Sequence, residues 1–330
     1  MNIAEIENIL NNALDVNAFP CYSFAVGDSS GVIYKKSGGY RMITPEKLPL
    51  TEDTLFDMAS LSKLIGTTMA ALKLLESGKI TLESRVGDYF DNCYGKEHIT
   101  VFELMTHTSG ISAHFPLWRR GILPNDAANE ILREPLSYAT GTNAVYSCMG
   151  YILLGKILEA IERKPLDEIV KQLVFEPLNM KNSHYCPNSE SICAATERDL
   201  ETNEIICGVV HDENARFLNG IAGNAGIFCD INDMITFAKM LSNRGKGFID
   251  NEIFESAIKN HTPHFNDHRG LGFQLIGNRY GHNGFTGTSL YVDNSCKIYA
   301  ILLTNRVHPT RDNHKLFEIR RELNKIIFGE

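Results

Sequence analysis

Phe56-Asp57-Met58-Ala59-Ser60-Leu61-Ser62-Lys63 opens the stretch whose reading decides the fold. A serine hydroxyl is a weak nucleophile at neutral pH and needs a base within hydrogen-bond reach. A lysine three residues later on a helix stands on the same face, one turn away. S-x-x-K by itself carries little weight, because a chain of this length and composition contains about one copy by chance. Its setting is more telling. Leu61, Leu64, Ile65, Met69, Leu72 and Leu75 fall at helical spacing, and Gly78 follows where helices commonly stop, so the spacing predicts one helix from Ser60 to Ser77. Ser60 at its N-terminus would meet free backbone N–H groups and the positive end of the macrodipole, which favour an alkoxide. The bland alternative is a serine N-cap followed by an exposed lysine.

Two downstream motifs join this one: Tyr146-Ser147-Cys148 and His282-Asn283-Gly284-Phe285-Thr286-Gly287. With the flanking runs Leu104-Met105-Thr106-His107-Thr108-Ser109-Gly110, Glu176-Pro177-Leu178-Asn179-Met180 and Ala222-Gly223-Asn224-Ala225-Gly226-Ile227-Phe228, the chain resembles the serine β-lactamase and penicillin-binding superfamily, class C branch. Order and separation agree over nearly the whole length. The resemblance implies that Ser60 attacks an acyl carbon and that its proton passes to the Lys63/Tyr146 pair, either member of which is the formal base. It also implies an oxyanion hole of the Ser60 and Phe285 backbone N–H groups, with His282, Asn283 and Gly284 on a strand lining the cleft. No cofactor is implied.

Two departures from the β-lactamase pattern bear on substrate. His282 stands where β-lactamases of this branch usually carry lysine. With an unperturbed pKa near 6.5, histidine is expected to be a partly charged, weaker anchor for a substrate carboxylate. Cys148 stands where Y-x-N would place an amide; a thiol is a weak donor and weak acceptor, so the substrate clamp is loosened. Small-residue packing is the plainer reading of Cys148.

The chain has 330 residues, 43% of them hydrophobic, and a formal net charge of −8, with basic residues in nothing longer than pairs such as Arg119-Arg120 and Arg320-Arg321. That balance argues for a large buried core and against a nucleic-acid partner. Met1-Asn2-Ile3-Ala4-Glu5-Ile6-Glu7 lacks a basic n-region and a continuous apolar h-region, and no apolar run is long enough to span a bilayer. The 8 cysteines are scattered without a CxxC, which fits free thiols. Together these point to a cytoplasmic protein with no membrane span. His107, His211, Asp212 and Glu213 lack any metal-ligand spacing, so no metal site is expected. Glycine at every third position in Gly220 to Gly226 and Gly281 to Gly287 reads as tight turns rather than phosphate binding.

Periodicity predicts helices at Ile3 to Asp15, Val101 to Thr106, Ala127 to Leu132, Gly150 to Ile161, Pro165 to Val174, Ile231 to Leu241 and Asn313 to Phe328. Strands are expected at Tyr22 to Val26, Val32 to Lys36, Gly272 to Gly277, Thr288 to Val292 and Lys297 to Thr304. The fold class is therefore α+β: an antiparallel sheet built from both ends of the chain and flanked by terminal helices, facing a mainly helical lobe. The expected division is one domain, 1–330, of two lobes, 1–59 with 242–330 and 60–241, with the active site between them. The resemblance implies the same β-lactamase/D,D-peptidase-like fold.

Three functions remain open. The leading one is a serine hydrolase that forms an acyl-enzyme with a small ester or a D-amino-acid amide or peptide. A true β-lactamase, with β-lactams as substrate, is the second. A penicillin-binding sensor or interaction protein without turnover is the third, made conceivable by Cys148.

Overall fold

A computed structural model describes residues 1–187 and 192–329. The strands are β1 (Cys21–Gly27), β2 (Val32–Met42), β3 (Leu48–Pro49), β4 (Phe56–Asp57), β5 (His184–Tyr185), β6 (Ile227–Cys229), β7 (Gln274–Ile276), β8 (Arg279–Asn283), β9 (Ser289–Asp293) and β10 (Tyr299–Thr304). Seven form one antiparallel sheet in the order β3-β2-β1-β10-β9-β8-β7. The sheet is thus drawn from both ends of the chain, with β1 and β10 paired at its centre.

Alternation along β1 explains how the sheet is covered. Tyr22, Phe24 and Val26 face one side, where they pack with Ile6, Leu10 and Ala13 of the helix Ile3–Asp15 and with Leu316, Leu323 and Ile327 of the helix Leu316–Phe328. Cys21 and Ala25 face the other side and join the main core, and the helix Ile231–Ser242 packs against β1, β9 and β10. Each fully buried large apolar side chain in these layers contributes about 1.5–3 kcal/mol. The N-terminal helix is capped by Asn2, whose side chain accepts from the Glu5 N–H, and the helix Ile231–Ser242 by Asp230 in the same way.

The middle of the chain is mainly helical, through Val101–Met105, Ala127–Arg133, Cys148–Glu162 and Leu166–Val170. The last of these runs on into a π-helical turn, Lys171–Phe175. The helix predicted from Gly150 starts earlier, at Cys148, because the Ser147 hydroxyl caps the Gly150 N–H at 2.9 Å. The final helix starts later than predicted, at Leu316.

A small second sheet, β4-β6-β5, was not legible from periodicity, since its strands are two or three residues long. It sets the active-site approach, because β4 ends three residues before Ser60. Among the described residues no helix is long and apolar enough to cross a membrane.

Candidate active site

Ser60 does not open a regular α-helix. The chain leaves β4 through Met58 and Ala59, and Ala59 adopts a left-handed φ of 46°. The Asp57 carboxylate holds that turn by accepting from the Ala59 N–H at 2.8 Å and, with its other oxygen, from the His211 N–H at 2.6 Å. Two helical residues follow Ser60, then a π-helical turn over Lys63–Thr68, then the α-helix Met69–Glu76. π-turns of this kind recur at functional sites.

The local spacing still delivers its contact. Lys63 Nζ lies 3.0 Å from Ser60 Oγ and is itself fully buried. It also donates to the Asn224 carbonyl at 2.9 Å and meets Cys148 Sγ at 3.4 Å. The Asn224 contact depends on glycine: a Cβ on Gly223 would lie 2.0 Å from the Tyr151 carbonyl, so only glycine lets this loop reach the helix behind Lys63.

Tyr146 comes to the same place. Lys63 Nζ is 4.8 Å from its ring centre, and the Arg269 guanidinium carbon is 5.2 Å from it. Its buried hydroxyl makes no hydrogen bond of good geometry. Burial, reinforced by the neighbouring Cys148 thiol, pushes the phenol well above its ordinary range, against the opposing influence of Ser60 and Arg269. Tyr146 is therefore a neutral phenol at neutral pH.

The third motif lines the opposite wall. Thr288 Oγ1 donates to the Met58 carbonyl at 3.0 Å and Thr286 Oγ1 to the Asp57 carbonyl at 2.7 Å, tying the β8–β9 turn to the chain just before Ser60. Gly284 is needed for that approach, because a Cβ there would sit 2.0 Å from Thr288 Oγ1 and 2.5 Å from the Met58 carbonyl oxygen. Asn283 turns aside, donating from Nδ2 to Tyr291 Oη at 2.7 Å and leaving its buried Oδ1 unpartnered.

His282 lies in the cleft as expected, but its charge is corrected. Its Nδ1 donates to the Asn283 carbonyl at 2.7 Å, while the buried Nε2 has no partner. Burial, with Arg269 and Lys63 nearby, lowers it to about 3. It is a neutral acceptor rather than a partly cationic anchor. His107 is neutral for the same reason: burial holds it well below its ordinary range. Its Nδ1 accepts from the Ser147 N–H at 3.1 Å, and its ring lies 4.8 Å from that of Tyr146.

Ser60, Tyr146, His282, Asn283, Gly284 and Phe285 all line one cavity of about 460 Å³, with Lys63 and Cys148 behind Ser60. Trp118 lines a different pocket, beside Glu197, and Phe115 is buried. His211 pairs with Glu197 at 3.0 Å, Asp212 caps the helix Glu213–Phe217, and Glu213 pairs with Arg311. No group of three or more His, Cys, Asp or Glu among the described residues is arranged to hold a metal. Sequence reasoning missed Arg269, Arg306 and Arg320 on the same cavity, because no motif marks an isolated arginine.

Residues 6–325 match the family model described as Beta-lactamase. The chain belongs to the beta-lactamase family. A relative from Bacillus subtilis named N-acetylmuramyl-L-alanine amidase is 30% identical over 341 residues, covering 87% of this chain and 76% of the relative. A Salmonella enteritidis protein provisionally named a D-alanyl-D-alanine carboxypeptidase is 26% identical over 366 residues, covering 94% of this chain and 84% of its own length. Among solved structures, EstCE1, a hydrolase with promiscuous acyltransferase activity, superposes with a TM-score of 0.81 at 18% identity, over 97% of this chain and 98% of that one. The octameric penicillin-binding protein homologue from Pyrococcus abyssi gives 0.80 at 21% identity, over 100% and 78%. This beta-lactamase family member is a serine hydrolase with the β-lactamase/penicillin-binding fold.

Proposed function

We propose that the chain hydrolyses a small ester or a D-amino-acid amide or peptide through an acyl-enzyme on Ser60, in the manner of the class C branch. The observation that carries the reading is the 3.0 Å contact between Lys63 Nζ and Ser60 Oγ at the edge of an open cavity. Because burial keeps Tyr146 a neutral phenol, we assign the base role to Lys63, whose Nζ touches Ser60 Oγ, and Tyr146 serves as a neutral hydroxyl beside it. Ser60 Oγ bonds to the acyl carbon and its proton passes to Lys63. The oxyanion then sits between the Ser60 and Phe285 N–H groups, neither of which has a hydrogen-bond partner among the described residues. Collapse returns that proton to the leaving group. Water next attacks the acyl carbon, losing a proton to Lys63; the bond to Ser60 Oγ breaks, that proton passes from Lys63 to Oγ, and the carboxylic acid is released.

Cys148 supports ester or D-peptide chemistry over β-lactam hydrolysis, because the thiol at 3.4 Å from Lys63 replaces the amide that would clamp a substrate carbonyl. The relatives' names, an amidase and a carboxypeptidase, agree with that direction. The cavity suits a small molecule or peptide rather than nucleic acid, and its lining residues come from both of the proposed lobes, 1–59 with 242–330 and 60–241. Free thiols at Cys21, Cys93, Cys148, Cys186, Cys229 and Cys296 support a cytoplasmic setting.

Intact-mass spectrometry after exposure to a fluorescent penicillin, a fluorophosphonate and p-nitrophenyl acetate tests the reading, with Ser60→Ala as control. Adducts confined to Ser60 and steady nitrophenol release are expected, with penicilloyl adducts persisting. Hydrolysis retained by Ser60→Ala overturns the nucleophile; adducts without any turnover favour a sensor protein; rapid clearance of the penicilloyl adduct favours a β-lactamase.

A further inference from the structure

Twelve residues line the Ser60 cavity; three are arginines and none is Asp or Glu, in a chain whose net charge is −8. The cations come from different elements. Arg269 stands over the Tyr146 ring and is 4% exposed. Its Nε and Nη2 both bond Asp267, while the buried Nη1 has no partner. Arg306 lies on the β8–β9 turn side, its guanidinium carbon 4.7 Å from the Phe285 ring centre and its Nη1 spent on the carbonyls of Arg311 and Asn313. Arg320, from the C-terminal helix, donates Nη2 to the Gly287 carbonyl at 2.9 Å, and its buried Nε is unpartnered.

Neither Arg306 nor Arg320 forms an ion pair among the described residues. The carboxylate whose charge acts on Arg306, Glu197, is already shared by His211 and Arg311. Three guanidiniums against the single carboxylate of Asp267 therefore leave two positive charges uncompensated around one cavity. Burying such charges is costly unless a partner arrives, and two of the guanidiniums keep a buried N–H without an acceptor. A neutral ester would leave this arrangement unpaired. One carboxylate would compensate half of it.

We propose that the substrate is dianionic: an amide or ester carrying two carboxylates or equivalent anionic groups, compensated by Arg306 and Arg320, with the unpartnered Nη1 of Arg269 donating to one of them. The inference rests on the hydrolase reading only for the bond that is cleaved. The anion site itself stands on the three arginines. Bidentate guanidinium contacts suit carboxylates and phosphates alike.

Calorimetric titration of the full chain with glutarate and with butyrate at matched ionic strength measures the site without reference to turnover. Glutarate should bind at least about tenfold tighter than butyrate, a gap of about 1.4 kcal/mol. The gap should close in Arg320→Gln and narrow in Arg306→Gln, while Arg320→Lys and Arg306→Lys keep part of it. Urea midpoints report whether each variant is folded. Equal affinity for the two acids in the wild type, or a gap unchanged by both glutamine variants, overturns the proposal. Labelling of Ser60 by a neutral fluorophosphonate, run beside the titration, separates failure of the hydrolase reading from failure of the anion site. Tighter binding of inorganic phosphate than of glutarate would show a site for one compact anion and overturn the assignment of two separate anionic groups.

Discussion

The His211 ring stacks on Phe285 with centroids 5.6 Å apart and planes 22° apart, and His211 is in turn held by Glu197 at 3.0 Å and through its backbone N–H by Asp57. Asp57 also fixes the Ala59 N–H, so one carboxylate links the turn before Ser60 to the residue that braces Phe285. Both N–H groups proposed for the oxyanion hole are thus braced from the same place. His211→Ala should lower kcat by about tenfold, roughly 1.4 kcal/mol, with KM changed less than threefold, because orientation of the Phe285 N–H is lost rather than substrate contact. A change confined to KM would count against the positioning role. Steady-state kinetics on p-nitrophenyl acetate decide between them, and His211→Gln should recover part of the rate.

Cys148 is a weak acceptor for Lys63 at 3.4 Å. Cys148→Asn offers an amide oxygen and an N–H in the same direction. A hydrogen bond contributes about 0.5–1.5 kcal/mol, and less when the partner is a thiol, so the substitution should raise amide hydrolysis relative to ester hydrolysis by up to about tenfold. Paired kcat/KM values on an anilide and the matching ester check this ratio. An unchanged ratio shows that Cys148 does not shape the reaction.

His282 makes stability depend on pH in a defined sense. Its folded value of about 3 lies below the unfolded value of about 6.5, so between them the unfolded chain binds more protons and stability falls as pH drops. His107 acts in the same direction. His282→Gln should flatten the slope by up to about 1.4 kcal/mol per pH unit below pH about 6.5, measured as urea midpoints for wild type and variant. KM for anionic substrates should not follow a titration of His282 in the neutral range. A KM rise between pH about 6 and 7 that His282→Gln abolishes would show that the residue is a cationic anchor after all.

Ala59 holds a left-handed φ of 46° immediately before Ser60, the proposed nucleophile. An alanine there stores about 1 kcal/mol, part of which glycine returns through its greater unfolded-state freedom. Ala59→Gly should therefore leave Tm unchanged or raised by about 2 °C, while Ala59→Val lowers it by several degrees. Thermal unfolding followed by circular dichroism checks both. A glycine variant markedly less stable than the parent would refute the strain.

Much of the molecule is legible along the chain because its cause is local. Apolar spacing from Ile3 to Asp15 marks that helix at its observed bounds, and alternation in Tyr22, Phe24 and Val26 identifies the central strand. The strands β4, β5 and β6 are too short to display a period, and the pairing of β4 with β6 joins residues well over 100 positions apart, Phe56 to Cys229. The π-helical turn at Lys63–Thr68 carries no signal either, since its residues satisfy α-helical spacing equally well.

The sequence by itself determined the contact between Ser60, the proposed nucleophile, and Lys63, since three residues of helical rise suffice to bring them together. Tertiary structure alone decided the protonation states and the cavity's charge. Burial removes water from His282 and from the Tyr146 hydroxyl, and desolvation is a property of what packs around a group rather than of its position in the chain. Likewise Arg269, Arg306 and Arg320, unremarkable as letters, become a cationic cavity only because strands from one end of the sheet and the C-terminal helix converge on Ser60.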